Sequence, residues 1–229
     1  MDLRESFAAT FRAADMNKAI FFLLALSGTF SMAQAQDATA GRNKAAMCIG
    51  CHGIPGYQAS FPEVHKVPMI SGQSGKYIAA ALTAYKKGER KHPTMRGVSD
   101  SLTEQDIADV SAYYEQHGKT SAELPAKSGR EPSVQVAELL KKGACVSCHG
   151  DNFAKPIDPS YPKIAGQHAD YLFVALKAYK VEKNTHVGRG NAIMGGIAKQ
   201  FTNAELKAIA SYVGSLESDL HTVPQSRFR

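Results

Sequence analysis

Cys48-Ile49-Gly50-Cys51-His52-Gly53 returns 97 positions later as Cys145-Val146-Ser147-Cys148-His149-Gly150, and these two stretches hold every cysteine of the chain. Around them more of the sequence is written twice. Pro68-x-Ile70-x-Gly72-Gln73 recurs as Pro162-x-Ile164-x-Gly166-Gln167, and the run from Tyr77 to Lys86 matches Tyr171 to Lys180, both at an offset of 94. Met95-x-Gly97 recurs as Met194-x-Gly196, offset by 99. The offset changes only between matched blocks, where loops absorb insertions, so the economical reading is two homologous lobes of under a hundred residues each.

Each lobe carries helical periodicity. Ile78, Ala81, Leu82 and Tyr85 share one face, copied as Leu172, Ala175, Leu176 and Tyr179. Ile107, Val110 and Tyr114 are copied as Leu206, Ile209 and Val213, again at the spacing of an amphipathic helix. Thr103-x-x-Asp106 and Thr202-x-x-Glu205 stand where these last helices should begin, as N-cap signals. Val136, Leu139 and Leu140 predict a first helix running into the cysteine motif. No stretch alternates as a strand does, so the expected fold class is all-α.

The N-terminal residues read as an export signal. Lys18 precedes an apolar run from Ala19 to Phe30, and Ala33-Gln34-Ala35 supplies a small-x-small cleavage site. The run is too short to span a bilayer. The expected organisation is a signal over residues 1–35, with 1–15 reading as an over-called start before Met16, then a lobe over 36–118. A Pro-, Ser- and charge-rich linker follows over 119–132, and a second lobe over 133–229. Export implies a periplasmic location, with cleavage or retention as an anchor left open.

In an all-α, exported, duplicated setting, C-x-x-C-H reads as a c-type haem attachment site. One helical turn brings both thiols to where each can form a thioether with a porphyrin vinyl group, and carries the adjacent histidine under the ring. The rival readings are weaker. One zinc held by both pairs would need two duplicated surroundings to converge, a thioredoxin-like pair needs a βαβ context, and a disulfide across two residues makes a cramped loop. Two covalently bound haem c groups are therefore expected, on Cys48 and Cys51 and on Cys145 and Cys148, with His52 and His149 as iron ligands. Met95 and Met194 follow those histidines by 43 and 45 residues, in Gly-containing loops before the last helix of each lobe, and are the expected opposite axial ligands. Met47 and Met69 have no repeat partner and read as packing. His92 and His186 are the competing ligands, but do not align with one another and read as solvated loop residues. His65, His117, His168 and His221 show no constellation. Pro68 and Pro162 stand where a carbonyl could accept the imidazole N–H, although ordinary turn punctuation explains them equally well.

The duplicated C-x-x-C-H, the P-x-I-x-G-Q block, the Y-x-x-x-A-L-x-x-Y-K helix and the late methionine together resemble the dihaem cytochrome c4 family, two tandem class I cytochrome c domains. The resemblance implies lobes packed about a pseudo-twofold axis and a periplasmic carrier of single electrons between respiratory partners, often a terminal oxidase. It also leaves room for the dihaem subunit of a sulfide- or alcohol-oxidising dehydrogenase complex. A dihaem peroxidase would need an open axial position, against which the two methionines argue. An electron carrier, not an enzyme, is the expected role.

Composition agrees with a folded, exported protein and excludes a disordered or fibrous one: 44% hydrophobic, 21% charged, no Trp. The net charge is +6, unevenly spread, with nine bases against eight acids over 36–118 and twelve against eight over 133–229. Such a surface suits an acidic redox partner, a cytochrome oxidase or a dehydrogenase, with peripheral membrane association left open. Lys86-Lys87-x-x-Arg90-Lys91 is either a docking run near Met95 or a solvated loop. Nucleic acid is not an expected partner, since the bases are not interleaved with stacking aromatics.

Overall fold

The computed structural model describes residues 35–119 and 123–224. Apart from Ala35, the export signal read over 1–35 lies outside the described residues. The first lobe contains α1 (Ala38–Lys44), α2 (Ala46–His52), α3 (Gly75–Lys86), α4 (Pro93–Asp100) and α5 (Glu104–Gln116). The second contains α6 (Val134–Lys142), α7 (Val146–His149), α8 (Ala169–Ala178), α9 (Ala192–Ala198) and α10 (Asn203–Gly214). Among the described residues strand is confined to two-residue pieces, β1 (Gln58–Ala59), β2 (His65–Lys66), β3 (Arg90–Lys91) and β4 (Gly188–Arg189). The all-α expectation holds, and no helix among the described residues is long and apolar enough to cross a membrane.

In each lobe the last helix is the hub. Ile107, Val110, Tyr113 and Tyr114 of α5 pack with Ile78 and Leu82 of α3, with Ala45 and with Leu102. In the second lobe Leu206, Ile209, Ala210 and Val213 of α10 pack with Leu172 of α8, with Val136, Leu139 and Leu140 of α6, and with Phe153 and Phe201. Both hub helices start with a full capping box, Thr103 with Asp106 and Thr202 with Glu205. Each threonine hydroxyl accepts an N–H one turn on, and each carboxylate reaches back to the cap residue's own N–H.

Two local expectations need correction. The first helix does not run unbroken into the cysteine motif: α1 gives way to α2 at Ala45, and α6 ends at Gly143, before Ala144 adopts φ 47°. A Cβ at Gly143 would lie 3.1 Å from Cys145 Sγ and 3.2 Å from the Phe201 ring, so the bend is closely packed there. The methionines, expected in loops, stand instead in the first turns of α4 and α9. The caps explain why. His92 Nδ1 accepts from the Met95 N–H at 3.5 Å, and Asn191 Oδ1 accepts from the Met194 N–H at 2.9 Å. Pro93, at the first helical position of α4, gives up no hydrogen bond there.

The lobes meet through repeat-equivalent residues. β3 pairs antiparallel with β4, setting Arg90 opposite Arg189, its counterpart at the 99-residue offset. Gln73 bonds the backbone of Lys163 through both amide atoms, and Gln167 does the same to Met69. This reciprocity is that of a local twofold axis. The β1–β2 hairpin of the first lobe adds an asymmetric contact. The Lys66 N–H donates to Asp170 at 3.0 Å, His65 stacks on Tyr171, and Glu63 pairs with Lys177. Beyond α10 the chain returns across the first lobe, where the His221 N–H donates to the Ser71 carbonyl at 3.0 Å, and on the way Asp219 pairs with Lys163 of its own lobe. Gly72 sits at φ 83° beneath this strap, and a Cβ there would lie 2.2 Å from the Asp219 carbonyl oxygen.

Replacing Thr202 with Ala removes one capping box and is expected to cost about 1 kcal/mol, seen as a lower denaturant midpoint at unchanged slope. The Asp106 carboxyl is held at about 2, by the hydrogen bond from Lys44 and by those from Thr103. Because this pKa lies below the ordinary carboxylate value, the contribution is complete above that value and is lost as pH falls toward 2. Asp106→Asn is therefore expected to flatten the acid limb of the stability profile between pH 4 and about 2.

Candidate haem sites

A cavity of about 780 Å³ runs through both lobes. Cys48, Cys51, His52 and Met95 line its first-lobe part, and Cys145, Cys148, His149 and Met194 its second. All eight residues singled out in the sequence are thus brought to one apolar space, four to each lobe. No disulfide joins the cysteines. Among the described residues no three of His, Cys, Asp and Glu gather as a metal cluster, which leaves the zinc reading without a site.

The histidines are oriented alike. His52 Nδ1 donates to the Pro68 carbonyl at 2.8 Å, and His149 Nδ1 donates to the Pro162 carbonyl at 3.1 Å. A carbonyl can only accept, so Nδ1 carries the proton and Nε2 keeps its lone pair. Of the two readings of these prolines, the carbonyl acceptor is the one the fold uses. Burial lowers both imidazole pKa values, against the opposing pull of the carbonyls, and so favours the neutral ring a metal needs. Burial also pushes the Cys48 thiol up to about 11 and raises Cys145.

Among the other histidines, His92 departs from the expectation. His92 is no solvated loop residue. It caps the Met95 helix, its Nε2 lies 3.2 Å from the Phe61 carbonyl, and it does the work that Asn191 does in the second lobe. His186 is exposed on a turn held by Asn184, away from the cavity. His65 is buried at the seam, giving Nδ1 to the Glu63 carbonyl. Met47 and Met69 do line the cavity, but Met69 is held through its backbone by Gln167.

Between the two halves of the cavity lies a cluster that sequence reasoning missed. Arg90 donates to the Tyr77 and Tyr171 hydroxyls at 3.1 and 2.8 Å and lies 4.6 Å over the Tyr85 ring. Arg189 donates to Tyr171 at 3.0 Å and lies over the Tyr179 ring. Burial alone would raise the Tyr171 phenol, but the Arg189 and Arg90 charges and hydrogen bonds override it and bring it to about 8. Neither guanidinium is paired with a carboxylate among the described residues, and Arg90 Nε is buried without a hydrogen-bond partner. Two adjacent, partly desolvated cations call for an anion. A haem brings carboxylates, and the cavity's apolar walls suit its ring, so the residues present fit that group.

The basic run Lys86 to Lys91 changes meaning here. Arg90 faces inward, Lys86 is tied to the Leu102 carbonyl, and Lys180, its repeat counterpart, is tied to the Phe201 carbonyl. Lys91 reaches the Asn184 carbonyl. Tyr77, Tyr171 and Lys180 lay in plain repeated blocks, and Arg90 and Arg189 share the offset of the methionines. That signal was available, but periodicity alone does not say which neighbour a repeated polar residue will meet.

Comparison with known proteins agrees with this geometry. The cytochrome c family profile matches residues 38–117 and again 133–217. Cytochrome c4 of Azotobacter vinelandii is 32% identical over 88% of this chain and 100% of its own length. A thiosulfate dehydrogenase electron acceptor of Stutzerimonas stutzeri is 29% identical over 77% of this chain and 82% of its own. Among solved structures, reduced recombinant cytochrome c4 from Pseudomonas stutzeri superposes with a TM-score of 0.61 at 27% identity, over 80% of this chain and 100% of that one.

Asn191→Ala is expected to loosen the first turn of α9 by about 1 kcal/mol, read as a roughly fivefold faster amide exchange at Met194 with Met95 unchanged. With two matched domains, two C-x-x-C-H motifs on one cavity and relatives aligned end to end, the chain belongs to the cytochrome c family, in its dihaem cytochrome c4 branch, and carries two covalently bound haem c groups.

Proposed function

We propose that this protein relays single electrons between redox proteins of the periplasm. Cys48, Cys51, His52 and Met95 hold one haem, and Cys145, Cys148, His149 and Met194 hold the other. The observation carrying this reading is that each lobe brings its motif and its late methionine to one apolar cavity, with the histidine's Nε2 left free by a carbonyl bond at Nδ1. Each haem, when bound, supplies a one-electron ferric–ferrous couple.

The chain's own part is to hold and insulate. His52 and Met95 approach the cavity from separate elements, α2 and α4, and His149 and Met194 do the same from α7 and α9. Held in this way, His52 with Met95 and His149 with Met194 would ligate the irons when the haems are bound and keep reorganisation small. Arg90 and Arg189 stand where haem carboxylates would neutralise them, and the Tyr77 and Tyr171 hydroxyls orient the guanidiniums. This is a carrier's arrangement more than a catalyst's.

The partner is a protein with an acidic docking face, met mainly by the more basic second lobe. The run at Lys86 contributes little, since most of its side chains are engaged within the molecule. A terminal oxidase is one such partner. The relative that accepts electrons from a thiosulfate dehydrogenase favours a second reading, in which this chain serves a dehydrogenase that oxidises a small sulfur compound.

Visible and near-infrared spectra of the native protein test the ligand assignment. Met194→Ala is expected to remove half of the sulfur-to-iron charge-transfer band, and an unchanged band would overturn it. Electron-transfer rates should fall with rising ionic strength. A flat dependence would remove the acidic partner, and co-purification of a second polypeptide would favour the dehydrogenase.

A further inference from the structure

The two interlobe glutamines touch the same peptides that hold the histidines. In the first lobe, the carbonyl of the Pro68–Met69 peptide accepts from His52 Nδ1, while the N–H of that peptide donates to Gln167 Oε1 at 3.0 Å. In the second, the Pro162–Lys163 carbonyl accepts from His149 Nδ1, and its N–H donates to Gln73 Oε1 at 3.0 Å. Each glutamine also returns its Nε2 to the next carbonyl, Met69 or Lys163, at 2.9 Å. Each Oε1 takes a further N–H within its own lobe, from Ser74 or His168, which fixes the orientation of the amide. Both side chains are only 4% exposed.

A peptide that donates at nitrogen while accepting at oxygen is polarised: giving its N–H to the glutamine Oε1 pushes density onto the carbonyl oxygen and strengthens the hydrogen bond accepted there. A stronger bond at Nδ1 makes the imidazole a better donor at Nε2. We propose that Gln73 and Gln167 are positioning residues that act across the seam, each setting the donor strength of the proximal histidine in the opposite lobe. The inference rests on His52 and His149 being iron ligands. The relay in each direction is one peptide long, a histidine, an amide and a glutamine from the other lobe. Greater donor strength favours ferric iron, so each glutamine holds the opposite haem's potential down.

The test uses the full dihaem protein, with the two haems followed separately by proton NMR during redox titration. Gln73→Leu removes the acceptor from Lys163. The second-lobe haem should then become easier to reduce, its reduced-to-oxidised ratio at a fixed potential rising roughly two- to fivefold, with the first-lobe haem unmoved. Gln167→Leu should do the reverse. In the reduced protein the Nδ1 proton of His149, and not that of His52, should move upfield in Gln73→Leu. Gln73→Glu keeps an acceptor oxygen and adds charge, so it should shift the second-lobe haem the opposite way, and more than the first. This variant carries the test if the leucine variant does not assemble. A shift confined to the glutamine's own lobe, equal shifts in both, or none would overturn the proposal. The visible spectrum reports ligation independently, so an intact spectrum with uncrossed shifts sinks this inference and leaves the ligand assignment standing.

Discussion

Each lobe is built around a space that its own side chains do not fill. Five short helices leave the apolar walls of that space without packing partners of their own. The hub helix of each lobe packs on one side against its neighbours and on the other borders the cavity, through Val110 and Tyr114 or Leu206, Ile209 and Val213. A flat apolar group tethered by two thioethers completes that core and cannot diffuse away. Its covalent anchoring, its ligation and the stability of the helices are therefore one problem with one solution. The capping boxes at Thr103 and Thr202 and the caps at His92 and Asn191 matter because they place the elements that face this group.

The seam follows from duplication. When two copies of one lobe meet about a local twofold axis, each residue near the axis meets its own counterpart or that counterpart's neighbour. Arg90 thus lies opposite Arg189, an arrangement of like charges that makes sense only with anions at hand and tyrosine hydroxyls to share the donors. Gln73 and Gln167, by contrast, each find a backbone segment with both a donor and an acceptor to offer, so the clamp is self-complementary. The departures from symmetry include the hairpin at His65, Lys163 with its ion pair to Asp219 where the first lobe has Met69, and Tyr114 in the first lobe where the second has Val213.

Much of this was legible in the chain. The repeat, the cysteine motifs and the amphipathic faces depend on local spacing, which the sequence displays, so the helical class, the two lobes and the family could be read directly. So could the proximity of each late methionine to its motif, because two copies of the same interval turned a weak signal into a strong one. His92 was misjudged, since its repeat counterpart is an asparagine and a cap is a role shared by unlike residues. Arg90 was misjudged because a basic run looks the same whether its members face water or a neighbouring lobe.

The sequence by itself determined which residues recur, and hence that two like lobes each present two cysteines, a histidine and a methionine. Only the tertiary structure decided that Pro68 and Pro162 offer their carbonyls to those histidines, and that the peptides concerned are gripped by glutamines from the opposite lobe. The reason is physical. Local spacing is written along the chain, whereas a hydrogen bond between residues some 90 positions apart exists only once two packed surfaces have been brought into register.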